Sequence, residues 1–339
     1  MTQGKERSFI FKGIHPRLAI GTASDRYSGW LGQIYTWERY AGRIKRRTKK
    51  VGGCGFVEEI LPVDSVREFF EHFDILELDF TFYRPLKDEQ GNFTQSYHTL
   101  KAYGTFLNPG NRIILKVPQL FFAKRVWRKE VFGENPHYLD ADAFARQFYE
   151  PALELLDPWL AGLLFEQEYH RKDDRPAPKK VAEELDRFFR AIPSDSRYHV
   201  ELRTDSFLSP EVFGVFDRHG IGQVLSHWSW LPSLKLQFSL AGRRIFSKSR
   251  ELIIRLMTPR GMRYEEAYAK AYPFDRLVEG MLQNSMVRDA VDIAREAIKL
   301  GVRANIIINN RAGGNAPLIA QKVLAAFTSA FSEAGKMET

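Results

Sequence analysis

A single cysteine, Cys54, in 339 residues excludes an intramolecular disulfide and any multi-cysteine metal or iron–sulfur site. No apolar run approaches the roughly 18 residues of a membrane span. The opening stretch, MTQGKERSFIFKG, has no apolar core of signal-peptide length. A soluble protein of a reducing compartment, the cytoplasm, is therefore expected, with no membrane partner. No G-x-G-x-x-G follows an apolar run, which counts against an open dinucleotide-binding sheet. The eight histidines form no H-x-x-x-H or H-E-x-x-H pair, and only His170 and His227 stand just beyond apolar runs. Neither a metal site nor any other cofactor is expected. With no repeat of solenoid period and no low-complexity linker, a single domain is the simplest reading.

What the chain does have is basic charge. The formal net charge is +8, which favours anionic partners such as phosphorylated metabolites, nucleic acid or acidic lipid. Much of the excess lies in RIKRRTKK, residues 43–50, through Arg43, Lys45, Arg46, Arg47, Lys49 and Lys50. A run of this kind reads first as a solvated loop. It also supplies phosphate contacts for a second partner class, nucleic acid.

Eight short apolar runs alternate with segments of helical period: residues 18–21, 75–78, 113–116, 162–165, 199–202, 221–225, 252–255 and 305–309. Near-continuous apolar runs suit parallel strands covered on both faces. Helices are predicted over 64–73 with Asp64 as N-cap, and over 178–192. A third runs from Ser209 and Pro210 to a stop at Gly220. Others are predicted over 139–160 with a kink at Pro151, over 276–300 and over 316–331. Strand–helix alternation repeated eight times implies a parallel α/β architecture, either a closed (β/α)8 barrel or an open doubly wound sheet. Residues 1–17 read as an N-terminal extension, 18–331 as the barrel and 332–339 as a tail.

Polar residues gather where the apolar runs end. Glu77, Asp79 and Tyr83 follow the second run, Lys116 the third and Glu166 the fourth. Glu201 and Arg203 end the fifth, Arg255 the seventh, and Asn309 and Asn310 the eighth. In a barrel, the C-terminal strand ends form one mouth, so these groups would converge there. Glu201, Lys116, Glu166, Glu77 and Asp79 are the acid/base candidates, because neighbouring carboxylates and cations shift one another's proton affinity. Arg203, Arg255, Tyr83, Asn309, Asn310 and Trp30 are candidates for holding a ligand. In NNRAGGNAP, residues 309–317, Gly314 and Asn315 open a helix whose N–H groups suit an anion, with Arg311 and Arg255 as helpers. Cys54, between glycines with no activating helix, is a poor nucleophile.

These segments carry a family resemblance over roughly 18–328. IGTASDRYSGW resembles IGTSGWSYxxW, and FDILELDFTFYRPL resembles FdtVEiNsTFYrlP. ILKVP, GLLFEQE, YHVELRTDSF and IIINNRAGGNA each resemble a further motif, in the same order, of the YecE-like family (domain of unknown function 72). The resemblance implies a TIM barrel and leaves the activity open. The chain departs from the pattern at Asp79, where the family usually has Asn, and at Phe207, where it usually has Trp. The leading expectation is a metal-independent enzyme using acid/base chemistry on a small anionic ligand, phosphorylated or carbohydrate-like. The alternatives are a nucleic-acid-binding or -processing barrel and a non-catalytic ligand-binding protein.

Overall fold

All eight apolar runs form strands in the computed structural model, which describes residues 9–128 and 131–334. They are β1 (Leu18–Ala23), β2 (Ile75–Leu78), β3 (Arg112–Lys116) and β4 (Leu160–Glu166). Then come β5 (Tyr198–Glu201), β6 (Gly222–His227), β7 (Glu251–Leu256) and β8 (Arg303–Ile308). Neighbours pair in parallel and β8 returns to pair with β1, so the sheet closes as a TIM-type α/β barrel. The doubly wound alternative is excluded. β1 and β2 meet closely at Gly21, where a Cβ would stand 1.8 Å from the carbonyl oxygen of Ile75. No side chain fits there.

Alternation along the strands sorts side chains into two cores. Outward residues such as Ile20, Leu76, Leu115, Leu163 and Leu225 pack beneath the surrounding helices. Inward residues stack in layers. At the N-terminal end of the barrel Arg112 bonds Glu251 at 2.7 Å and Asn305 at 2.9 Å. Above them Ile75, Ile114, Leu164, Val224, Ile253 and Ile307 form an apolar plug. The layer above the plug is charged. Ahead of the barrel, Phe11 stacks on Phe73 with ring centroids 4.8 Å apart.

The helices follow the sequence in part, and Gln95–Gly104 and Leu234–Leu240 are helices that it did not predict. Pro210–His219 starts after Ser209 and stops at Gly220, whose φ is +70°. Asp64 caps nothing: it lies in a 3-10 turn ahead of the helix Val66–His72 and takes both of its bonds from Arg43. Pro151 does not break its helix; a π-turn over Ala145–Tyr149 absorbs the missing N–H ahead of Glu150–Leu156. The segment from 276 turns helical only at Asn284, and an unpredicted helix, Tyr264–Ala271, precedes it. The basic run, expected as a loop, is one arm of a hairpin, Lys45–Val51 against Cys54–Ile60. Gly52 and Gly53, with φ +56° and +83°, make its two-residue turn. No helix among the described residues is long and apolar enough to cross a membrane.

Candidate functional site

The charged layer is organised around Arg255, a guanidinium with no solvent exposure at the end of β7. Its Nε and Nη2 donate to the two carboxylate oxygens of Glu77 at 2.9 and 2.6 Å. Its Nη1 donates to Glu166 at 3.3 Å and also to Glu201. Glu166 accepts two further cations on one oxygen, Lys116 Nζ at 2.6 Å and Arg203 Nη2 at 2.7 Å. Arg203 reaches back to Glu201 at 3.3 Å. Glu201 and Arg203, two residues apart in sequence, are therefore two members of a six-residue network rather than an isolated rim pair.

Three carboxylates facing three cations balance formally, but burial treats them unequally. For Glu166 burial favours the neutral acid, yet Arg203, Lys116 and Arg255 outweigh it and hold the carboxyl well below its usual range. Glu201 is also lowered: burial opposes ionisation, and Arg203 and Arg255 overcome it. For Glu77 burial wins over Arg255 and Lys116, and its carboxyl is raised. Arg255 moves up despite burial because Glu201, Glu77 and Glu166 surround it. Two faces of the network are aromatic: Lys116 Nζ lies 4.0 Å from the Phe82 ring centroid, and the Arg203 guanidinium 4.9 Å from that of Trp228.

Above the network lies a cavity of about 240 Å³, walled by strand ends below and by the hairpin and the helix Tyr264–Ala271 above. Glu77, Asp79, Lys116, Glu166, Arg203 and Arg255 all line it, as do Tyr83, Asn309 and Asn310. Residues from the second, third, fourth, fifth, seventh and eighth strand ends thus share one space. Asp79 is half-buried and accepts from Ser24 Oγ at 2.7 Å.

A family model described as "Protein of unknown function DUF72" matches residues 55–338. The chain belongs to this family. Two solved DUF72 structures share its fold. One, from Thermotoga maritima, is 17% identical with a TM-score of 0.54, covering 93% of this chain and 99% of that one. Another, from Enterococcus faecalis, is 12% identical with a TM-score of 0.53, covering 92% and 95%. No curated protein matches the chain. The motif IGTASDRYSGW lies ahead of the residues matched by the DUF72 model.

Four residues expected at this DUF72 site stand outside the cavity. Glu201 lies beneath it with no solvent exposure, bonded to Arg255 and Arg203. Trp30 is buried behind Asn310 and donates its indole N–H to Asn310 Oδ1 at 3.1 Å. Gly314 and Asn315 build the turn into the last helix. A Cβ on Gly314 would stand 2.3 Å from the carbonyl oxygen of Arg276, and Asn315 Oδ1 accepts the Leu318 N–H. The N–H groups of Gly313, Gly314 and Ala316 are likewise donated within the chain, to Asn310. This helix start is closed to an anion because the protein's own acceptors occupy it.

Other lining residues carried weaker sequence signals. Glu58, on the hairpin, accepts from Tyr268 Oη at 2.6 Å and pairs with Arg47 and Lys49. The Gly-Gly turn at 52–53 was the available clue to that hairpin. Arg43 pairs with Asp64 and Arg46 with Glu59, while Lys45 and Lys50 make no ion pair among the described residues. Most of the basic run is thus matched locally. Among the described residues no group of three His, Cys, Asp or Glu side chains is disposed to hold a metal ion.

Proposed function

We propose that this protein is an enzyme that binds a small anionic ligand in the barrel mouth and acts on it by acid/base chemistry. The observation that carries this reading is a pair of unsatisfied donors. Asn310 Nδ2 and Arg311 Nε are both buried without a hydrogen-bond partner, and both residues line the cavity. Unpaired buried donors are costly, so natural structures supply partners for nearly all of them. Here an anionic oxygen would supply what is missing. Arg311 makes no ion pair among the described residues; its guanidinium lies 4.5 Å from the Tyr264 ring centroid. It is therefore available in a way that Lys116, Arg203 and Arg255 are not.

The acid/base role falls to Asp79. Glu166 is held ionised by three cations, which suits electrostatic support and opposes proton donation. Glu77 is clamped by Arg255 through both oxygens. Asp79 faces the same cavity with only one oxygen engaged, by a neutral hydroxyl. It is also where the chain carries a carboxylate in place of the amide usual in similar sequences. Calorimetric titration with inorganic phosphate tests the anion site: Arg311→Gln should weaken binding at least about tenfold. Unchanged phosphate binding in that variant rejects the reading.

A further inference from the structure

A second, larger cavity lies beside the first and takes no part in the anion site. It has about 450 Å³ of space, within the usual range of about 300–1,000 Å³ for small-molecule sites. The hairpin forms its roof and is fixed in place: Tyr272 Oη donates to the Val57 carbonyl at 2.6 Å, and Tyr27 bridges to Ile60. Tyr27, Lys49, Glu58, Asp79, Tyr83 and Phe274 line both cavities, so the two spaces adjoin, with Asp79 in the wall they share.

The second cavity has its own unsatisfied group. Asp25 is 2% exposed, its Oδ1 accepts from Tyr103 Oη at 2.7 Å, and its Oδ2 is buried without a partner. Next to it Arg26 makes no ion pair among the described residues; its guanidinium lies 6.0 Å from the Tyr103 ring centroid. An acceptor and a multiple donor thus stand side by side on one wall. A charge of either sign would meet a like charge there as well as its opposite, because the cavity wall holds as many carboxylates as cations. Vicinal hydroxyls satisfy both, since each hydroxyl donates and accepts. Tyr83, 69% exposed, adds an aromatic face with no core to pack against.

We infer that the hairpin-roofed cavity binds a neutral, hydroxyl-rich ring, a glycosyl unit, whose attached anionic group reaches Asn310 and Arg311 in the first cavity. The ligand is then a sugar carrying an anionic substituent, with Asp79 beside the link between its two parts. This rests on the anionic reading of the first cavity. The test uses the full chain in calorimetric titrations with inorganic phosphate, with glucose and ribose, and with a phosphate monoester of each sugar. At least one monoester should bind about tenfold or more tighter than inorganic phosphate. Arg26→Gln, a change confined to the second cavity, should remove about that tenfold gain while leaving inorganic phosphate within about twofold. A monoester that binds no tighter than phosphate, or is unaffected by Arg26→Gln, overturns the inference while the anion site stands. If inorganic phosphate itself fails to bind, the first reading falls. The second cavity is then judged on the free sugars alone: binding weakened by Arg26→Gln supports it, and no binding ends it.

Discussion

Replacing Arg255 by Met should destabilise the protein more than almost any other single change at the barrel mouth. The side chains are similar in volume, so the effect is one of charge and hydrogen bonding rather than of an emptied core. Four donated bonds disappear: two to Glu77, one to Glu166 and one to Glu201. Glu166 keeps Lys116 and Arg203, and Glu201 keeps Arg203, but Glu77 loses its whole clamp with no solvent exposure to compensate. Removing one partner of a buried pair typically costs about 3–5 kcal/mol. A domain at the low end of ordinary stability, about 5 kcal/mol, would survive it narrowly. Neutralising the stranded group with Glu77→Gln in the same chain should recover about 1–3 kcal/mol, a coupling that additive sites would not show. The pH dependence has a defined sign. In the parent, Glu166 and Glu201 have lowered folded values, so their stabilisation is present above the unfolded carboxylate range and is lost as pH falls through the folded values. In Arg255→Met the carboxylates left under-compensated by burial are pushed upward, and acid relieves them. The stability gap between parent and variant should therefore be wider at about pH 8 than at about pH 5. Urea unfolding followed by tryptophan fluorescence measures both. A loss below about 1 kcal/mol, equal at the two pH values, refutes the network as the energetic centre of the mouth.

Asp79→Asn preserves the acceptor for Ser24 Oγ, so thermal stability should move by no more than about 0.5 kcal/mol while turnover falls about 100-fold or more. Full activity in that variant removes Asp79 from the chemistry. Burial raises the Asp25 carboxyl from 3.8 to about 6 against the pull of Arg26 and the Tyr103 hydroxyl. A raised folded value means that Asp25 lowers stability as pH rises from 3.8 to about 6, with the full penalty present above that window. Asp25→Asn should cancel this by an amount on the order of 3 kcal/mol at most, seen as a flatter stability–pH curve. Glu201→Gln should lower stability by about 2–3 kcal/mol in denaturant titrations, because Arg255 and Arg203 each lose a charged acceptor.

The barrel was legible because its signal is local. Runs such as ILEL and NIIIN carry inward and outward apolar faces at once, and each maps to one strand. Their polar ends were legible for the same reason. Depth was not. Glu166 and Glu201 stand directly opposite in register, and both face inward, yet only Glu166 reaches the cavity. Which strand-end group is floor and which is wall depends on the stagger between strands, and no spacing within one strand records that. In sequence the basic arm of the hairpin has the pattern of a loop, because KRRTKKV lacks an apolar face. Its strands are held by cross-strand pairs, Arg46 with Glu59 and Arg47 with Glu58, that become visible only once the register is known. Likewise the NNRAGGNAP turn has the composition of an anion cradle, but Asn310 and Asn315 fill it from within.

Charge bookkeeping at the mouth separates two kinds of cation. Lys116, Arg203 and Arg255 are committed to Glu77, Glu166 and Glu201, and the apolar plug beneath keeps the set in a low-dielectric setting. A network already neutral adds little net attraction for an anion, but its dipoles are fixed before any ligand arrives, which is the condition for electrostatic preorganisation. Arg311 and Arg26, by contrast, have no carboxylate partner among the described residues and stand on the walls of the two adjoining cavities. Affinity should therefore follow the wall cations, and the proton chemistry should follow Asp79 between them. The buried six should govern both only through position. Changes to Arg311 or Arg26 would then alter binding with folding intact, whereas changes to Arg255 would alter folding first.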